Sequence, residues 1–156
     1  MASKGHDKIT PDGKKIFKQI EELKKMQVRV GYQKGAAAEN GVDILDIAVW
    51  NELGTARAPA RPFIRQSADM NKGTIEKFCA AQLKKVTQGG TAEQALNAIG
   101  VMQKGLIQDT ISKSKEWADP NAPATVERKG SEQPLVDTGR LRQSASYVIV
   151  PKGGGD

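Results

Sequence analysis

A few places in the chain hold residue types that could do bond chemistry. Asp137-Thr138-Gly139 puts a carboxylate in a tight turn, a form in which two such groups can share a proton and activate water. That chemistry needs a second copy, and the tripeptide occurs once, beside Arg140 and Arg142. It is read as a turn or a helix start. Ser144 and Ser146 could attack a carbonyl only with a base, and neither a histidine nor a glycine elbow lies near them in sequence. Cys79 and His6 are the only residues of their kinds. Cys79 falls on the apolar face of a predicted helix, the usual place of a small buried hydrophobe. His6 sits in a polar stretch without neighbours at metal-ligand spacing. The glycine-punctuated residues 33–42 lack the spacing of a P-loop and its following Lys-Ser/Thr. The expectation is a chain that is not an enzyme and that uses neither cofactor nor metal.

A second set of residues points to contact rather than to reaction. Residues 43–65, DILDIAVWNELGTARAPARPFIR, contain Glu52, Arg57, Arg61, Phe63 and Arg65. Asp43 can cap a short helix, with Asp46 near its positive end and Gly54 at its stop. Ile44, Leu45, Ile47, Ala48 and Val49 give that helix apolar faces, and Trp50 and Leu53 close it. Glu52 lies in the last turn, where the helix dipole disfavours an acid. Such a local cost predicts a partner: either a salt bridge within the chain, Arg57 or Arg61 being nearest in sequence, or a contact with a neighbouring subunit. Pro59 and Pro62 push Ala58 and Arg61 out of helical conformation, which stiffens the loop at 54–61. A preset loop loses less entropy on docking. Pro62 then predicts the start of a long helix, with a weak point at Gly73.

The elements around this stretch follow from periodicity and caps. Thr10-Pro11 predicts a helix whose face carries Ile16, Phe17, Ile20 and Leu23. Val28, Val30 and Tyr32 alternate with Arg29 and Gly31, as in a strand. Residues 33–42 read as a loop. Gly89-Gly90 separates the long helix carrying Cys79, Leu83 and Val86 from another that opens on a Thr91/Gln94 capping box and runs to about Ser114. Two long helices joined by so tight a link predict an antiparallel hairpin. Residues 115–134 hold three prolines and few apolar side chains, and read as a long irregular segment with one short turn capped by Thr125. Residues 144–150 are rich in β-formers and are predicted to pair with residues 27–32. The fold class expected is therefore α+β: a long helical hairpin and shorter helices on a small antiparallel sheet. It forms a single domain over residues 10–151, with a flexible start at 1–9 and a glycine-rich tail at 152–156.

Composition narrows the function classes. The 156 residues suit one domain, and with 4% aromatics its core must be aliphatic and alanine-rich. No apolar run of 18 residues and no signal-peptide pattern is present, so no membrane partner is expected and a cytoplasm-like compartment is. The net charge of +6 admits a nucleic-acid partner. Lys14, Lys15, Lys18, Arg57, Arg61 and Arg65 are the residues that could face DNA, yet no helix-turn-helix, zinc finger or RNP pattern accompanies them.

Two motifs carry a family resemblance. IAVWNELGTARAPARPFIRQSAD, residues 47–69, is similar to the signature N-E-F-G-T followed by I-P-A-R-P-F-L-R of tail-completion or neck proteins of long-tailed bacteriophages, which include the Mu-type virion morphogenesis group. Residues 117–144, with W-x-x-P, then T-x-x-R-K-G, then P-L-V-D-T-G-R-L-R-x-S, resemble the C-terminal segment of that family. Leu53 stands where the family usually has Phe, and Ala58 where Ile often precedes Pro. The resemblance covers roughly residues 27–150. It implies a structural virion protein, made in the host cytoplasm and placed at the head–tail interface. It also implies a homo-oligomeric ring, with a hexamer as one form, that completes the tail and joins it to the head. Its partners would be the head–tail connector and the tail terminator or tail-tube proteins, with incidental contact to genomic DNA. On that reading Glu52, Arg57, Arg61, Phe63, Arg65, Asp137 and Arg140 belong to protein interfaces, and residues 115–134 form a docking surface. The alternatives are a basic DNA-binding accessory protein, or a terminator or minor tail subunit of a phage-like particle.

Overall fold

Thr10 starts the first helix, α1 (Pro11–Lys25): its hydroxyl accepts from the Gly13 amide at 3.1 Å, and Pro11 takes the first helical position. The computed structural model describes residues 8–137 and 139–153. Most of the predicted flexible start, the tail beyond Gly153 and Thr138 lie outside the described residues. After α1 come β1 (Met26–Gly31), β2 (Ala38–Glu39), β3 (Val42–Asp43), α2 (Ile44–Leu53), α3 (Phe63–Met70) and α4 (Lys72–Thr87). They are followed by α5 (Ala92–Ser112), α6 (Ser114–Trp117), α7 (Pro123–Lys129), α8 (Arg140–Gln143) and β4 (Ser146–Pro151). The architecture is α+β. β1 pairs antiparallel with β4, from Met26 opposite Pro151 to Gly31 opposite Ser146. The second strand begins later than the composition predicts, because Ser144 caps α8 and Ala145 is buried beneath it.

The helical hairpin forms as its punctuation requires. Gly89 and Gly90 close α4, with the Gly90 amide donating to the Lys85 carbonyl at 2.9 Å. Thr91 and Gln94 then form a reciprocal capping box, each bond 3.1 Å. Gln19 of α1 accepts a further α5 amide, that of Ala92, at 2.8 Å. α5 is the central strut. It packs on α4, α3, α8 and both long strands, and it buries Ala92, Ala95, Leu96, Gly100, Ile107, Thr110 and Ile111.

Four local expectations are corrected. The helix predicted to run on from Pro62 divides at Asn71, two residues before the suspected Gly73. Asn71 has φ −111° and ψ 14°, and both its backbone amide, at 3.2 Å, and its side-chain amide, at 2.8 Å, donate to the Ser67 carbonyl. Residues 33–42 hold a small hairpin, β2–β3, around Asn40-Gly41, with φ of 51° and 80°. Two positive φ values are what a two-residue hairpin turn demands, and Asn-Gly is its usual sequence. Residues 115–134 hold the end of α6 and all of α7, and α7 starts at Pro123 rather than under a Thr125 cap. Phe17 is 56% exposed and Leu83 51%. α1 lies at the edge of the fold and half-buries the stripe Ile16, Ile20 and Leu23. Phe17 sits on the shoulder of that stripe.

The main core gathers Ile44, Ala48, Phe63, Ile107, Ile111, Leu135, Leu141 and Ala145. A second close contact joins the sheet to α5. The Tyr147 ring lies on the α5 backbone at Gly100, where a Cβ would come within 2.3 Å of it, and the Tyr147 hydroxyl donates to Asn97 Oδ1 at 2.9 Å. Gly100→Ala must displace a ring that is tied at its far end. We expect it to lower the unfolding free energy in urea by about 1–3 kcal/mol, while the exposed Gly105→Ala on the same helix raises it or leaves it unchanged.

Candidate functional site

The two sequence motifs fold against one another. α2 is set by Asp43, which accepts from the Leu45 amide at 2.9 Å and the Gly35 amide at 2.7 Å. These two bonds, Leu45's foremost, hold its carboxyl below the ordinary aspartate range. α2 ends at Gly54, whose φ is 77° and where a Cβ would stand 2.7 Å from the Ala60 nitrogen. Only glycine fits there. The loop beyond is bonded to itself and to the helix it leaves. The Thr55 hydroxyl accepts from the Arg57 and Ala58 amides, and the Thr55 amide donates to the Ala58 carbonyl. The Arg61 amide donates to the Asn51 carbonyl at 2.6 Å. Pro62, with φ −75° and ψ 71°, centres an inverse γ-turn closed by the Phe63 amide and the Arg61 carbonyl.

Glu52 does not make the salt bridge with Arg57 or Arg61 that is one of its two expected contacts. Its two carboxylate oxygens accept from the Ile64 amide at 2.9 Å and the Arg65 amide at 3.1 Å. Pro62 occupies the N-cap position of α3 and has no side-chain acceptor, so the first amides of α3 need one from elsewhere. An acid that is unfavourable at the end of α2 is favourable at the start of α3.

Arg61 joins the first motif to the second. Its Nε donates to the Asp119 carbonyl at 2.9 Å and its Nη2 to the Pro120 carbonyl at 3.1 Å. Partial burial draws its pKa down, against the opposing charge of Asp119. Residues 115–134 are held by bonds within the chain. Trp117 Nε1 donates to the Thr110 carbonyl at 2.9 Å, and the Gln133 carbonyl accepts from Asn121 and Lys129. The Gln133 side chain accepts from Ser114 and Lys115.

Of the seven residues singled out in the sequence, Arg61, Asp137 and Arg140 line one cleft of about 220 Å3 beside α2 and α7. Arg128 and Lys129 line it too. This pair belongs to the T-x-x-R-K-G pattern, which by itself names no role for it. Arg57 and Arg65 lie exposed on the loop side. Phe63 offers no surface: it is fully buried, edge-on to the Tyr32 ring with centroids 5.8 Å apart. The residues that sequence reasoning did not choose are Val49, Trp50 and Leu53, which are 42%, 49% and 69% exposed on the outer side of α2. α2 carries apolar side chains on every side, with Asp46, Asn51 and Glu52 set among them, whereas a surface helix usually gathers its apolar residues on one face. That signal was present in the sequence.

Among the described residues no group of three His, Cys, Asp or Glu side chains could hold a metal, and no helix is long and apolar enough to cross a membrane. His6 lies outside the described residues. Cys79 is a half-buried thiol. Ser146 Oγ lies 3.5 Å from the Gly31 carbonyl, in the sheet. The chain matches no protein-family model, no curated protein and no solved structure. Removing the borrowed cap gives a direct test of the joint. Glu52→Ala is expected to cost about 1–2 kcal/mol of stability in urea. Arg57→Ala, on the exposed loop, should change it by less than about 0.5 kcal/mol. Equal effects would mean that Glu52 is not the cap of α3.

Proposed function

We propose that this chain is a structural component of a tailed-phage particle, a ring-forming neck or tail-completion protein at the head–tail interface. The observation that carries the reading is the pair of motifs at residues 47–69 and 117–144, which resemble that family and meet through Arg61 and the carbonyls of Asp119 and Pro120. Their meeting supports one unit that presents surfaces to neighbours. The outer face of α2 supports it further, since Val49, Trp50 and Leu53 are exposed there around the charged Asp46. Exposed apolar surface rimmed by charge is a common mark of a protein interface. In this reading the chain makes and breaks no bonds. Its neighbours are copies of itself, the connector and the terminator or tube proteins.

The test is assembly. Particles made without the gene are expected to accumulate unjoined heads and tails in negative-stain images. Complementation with Trp50→Asp or Leu53→Asp should restore few infectious particles, although each purified variant keeps the parent circular dichroism spectrum. Normal infectious particles made without the gene would overturn the reading. A DNA-binding accessory role is the second reading. It is favoured by α1, which buries no residue fully and exposes Lys14, Lys15 and Lys18. It requires duplex binding that falls steeply as salt rises, and the absence of that dependence removes it.

A further inference from the structure

We propose that the cleft between α2, α7 and the start of α8 is a binding site for a phosphate group. Its charged lining consists of Arg61, Arg128, Lys129 and Arg140 against Glu39 and Asp137. Four cations less two carboxylates leave the cleft two positive charges in excess. A phosphate group carries a charge of about −2 near neutral pH, which matches that excess. A single carboxylate would neutralise only half of it.

The cations are placed for the task. Arg61 is fixed by its bonds to the Asp119 and Pro120 carbonyls, which use Nε and Nη2 and leave Nη1 for another acceptor. Lys129 is half-buried and donates to the Gln133 carbonyl at 3.1 Å, one of the three bonds an ammonium can make. The Arg128 guanidinium has no hydrogen-bond or ion-pair partner among the described residues. Thr125 adds a hydroxyl to the lining. Burial draws the Lys129 amine below the ordinary lysine range, Asp137 and Glu39 oppose this, and Arg61 and Arg128 add to it. An anion seated among them lowers that mutual repulsion. Arginine forks suit phosphate oxygens in particular. The 220 Å3 cleft has no aromatic ring in its lining, so a nucleobase finds nothing to stack on. That favours a phosphate group over a nucleotide or a single strand.

The proposal does not rest on the assembly reading, and it is tested on the isolated full chain. Inorganic phosphate is titrated by calorimetry at an ionic strength held constant with chloride. We expect saturable binding at one site per chain. Arg128→Gln combined with Lys129→Gln should weaken it about tenfold or more. Arg57→Gln combined with Arg65→Gln, which removes two exposed cations outside the cleft, should leave it unchanged. If the cleft double variant loses its fold, Arg128→Gln alone serves, because that side chain is exposed, and it should weaken binding several-fold. Phenyl phosphate separates the sources: binding as tight as inorganic phosphate assigns the cleft to a phosphomonoester on a larger molecule, and much weaker binding assigns it to the free ion. No saturable heat, or equal losses in the two double variants, overturns the proposal. So does glutamate binding as tightly as phosphate, or a short DNA duplex displacing phosphate from the cleft.

Discussion

The carboxylate of Glu52 closes the joint between two helices. It stands in the last turn of α2, where the unpaired carbonyls of a helix end make an acid unwelcome. The chain turns back within ten residues and brings the first amides of α3 to it. Pro62 leaves those amides without a local acceptor. Without Glu52 those part-buried and exposed amides would have to turn to water, and α3 opens directly on the fully buried Phe63. The two mismatches, an acid at a negative end and a helix start without a cap, cancel in one pair of bonds. The features of residues 54–62 keep that arrangement closed. Gly54 lets Ala60 come near, Thr55 locks the turn, and the Asn51 carbonyl receives the Arg61 amide.

Consequences spread from this joint through Phe63. With α3 placed, its first side chain enters the core beside Tyr32, at the exit of β1. The Tyr32 hydroxyl then reaches the Leu141 carbonyl at 2.6 Å, and burial holds its proton well above the ordinary phenol range. Leu141 belongs to α8, which leads into β4, and β4 returns to pair with β1. The first motif, the sheet and the second motif thus form a ring of contacts. Arg61 adds a second link, from the loop to residues 119 and 120. The motifs are far apart in sequence and act as one piece in space.

What the sequence discloses is what short-range rules govern. The Thr10 cap, the Thr91 and Gln94 box and the Gly89-Gly90 turn each depend on residues a few positions apart, and each takes the form its pattern implies. β1 forms without the expected alternation of burial, Arg29 alone in it being exposed. The β2–β3 turn is equally local, since Asn40-Gly41 is a strong signal, though it is set within a stretch of small residues that reads as loop. Other features are not written locally. Glu52 caps a helix twelve residues away, and only the tertiary fold brings the two together. The break at Asn71 has no local signature, since asparagine also stands inside the unbroken α2 and α5, at Asn51 and Asn97. Phe17 sits on a helix that lies at an edge, and an apolar stripe does not say how far round the helix its cover extends. The cleft lies beyond local reading too, because its walls come from α2, α7 and the turn before α8.

Stiffness was expected of the arginine loop because of its prolines, and the structure derives it from more than them. A loop bonded to its own turn, to the last turn of α2 and to residues 119 and 120 has few conformations left to lose. The same bonds fix the end of α2, whose inner side chains Ile44 and Ala48 are held in the core. Its outer side chains Val49, Trp50 and Leu53 are then carried on a rigid rod with both ends tied, Asp43 at one and Glu52 at the other. A surface of this kind forfeits little entropy when covered, so more of the apolar area it buries counts toward affinity. Phe63, buried at the start of α3, and Arg61, bonded to the carbonyls of residues 119 and 120, both help to hold the end of α2 in place.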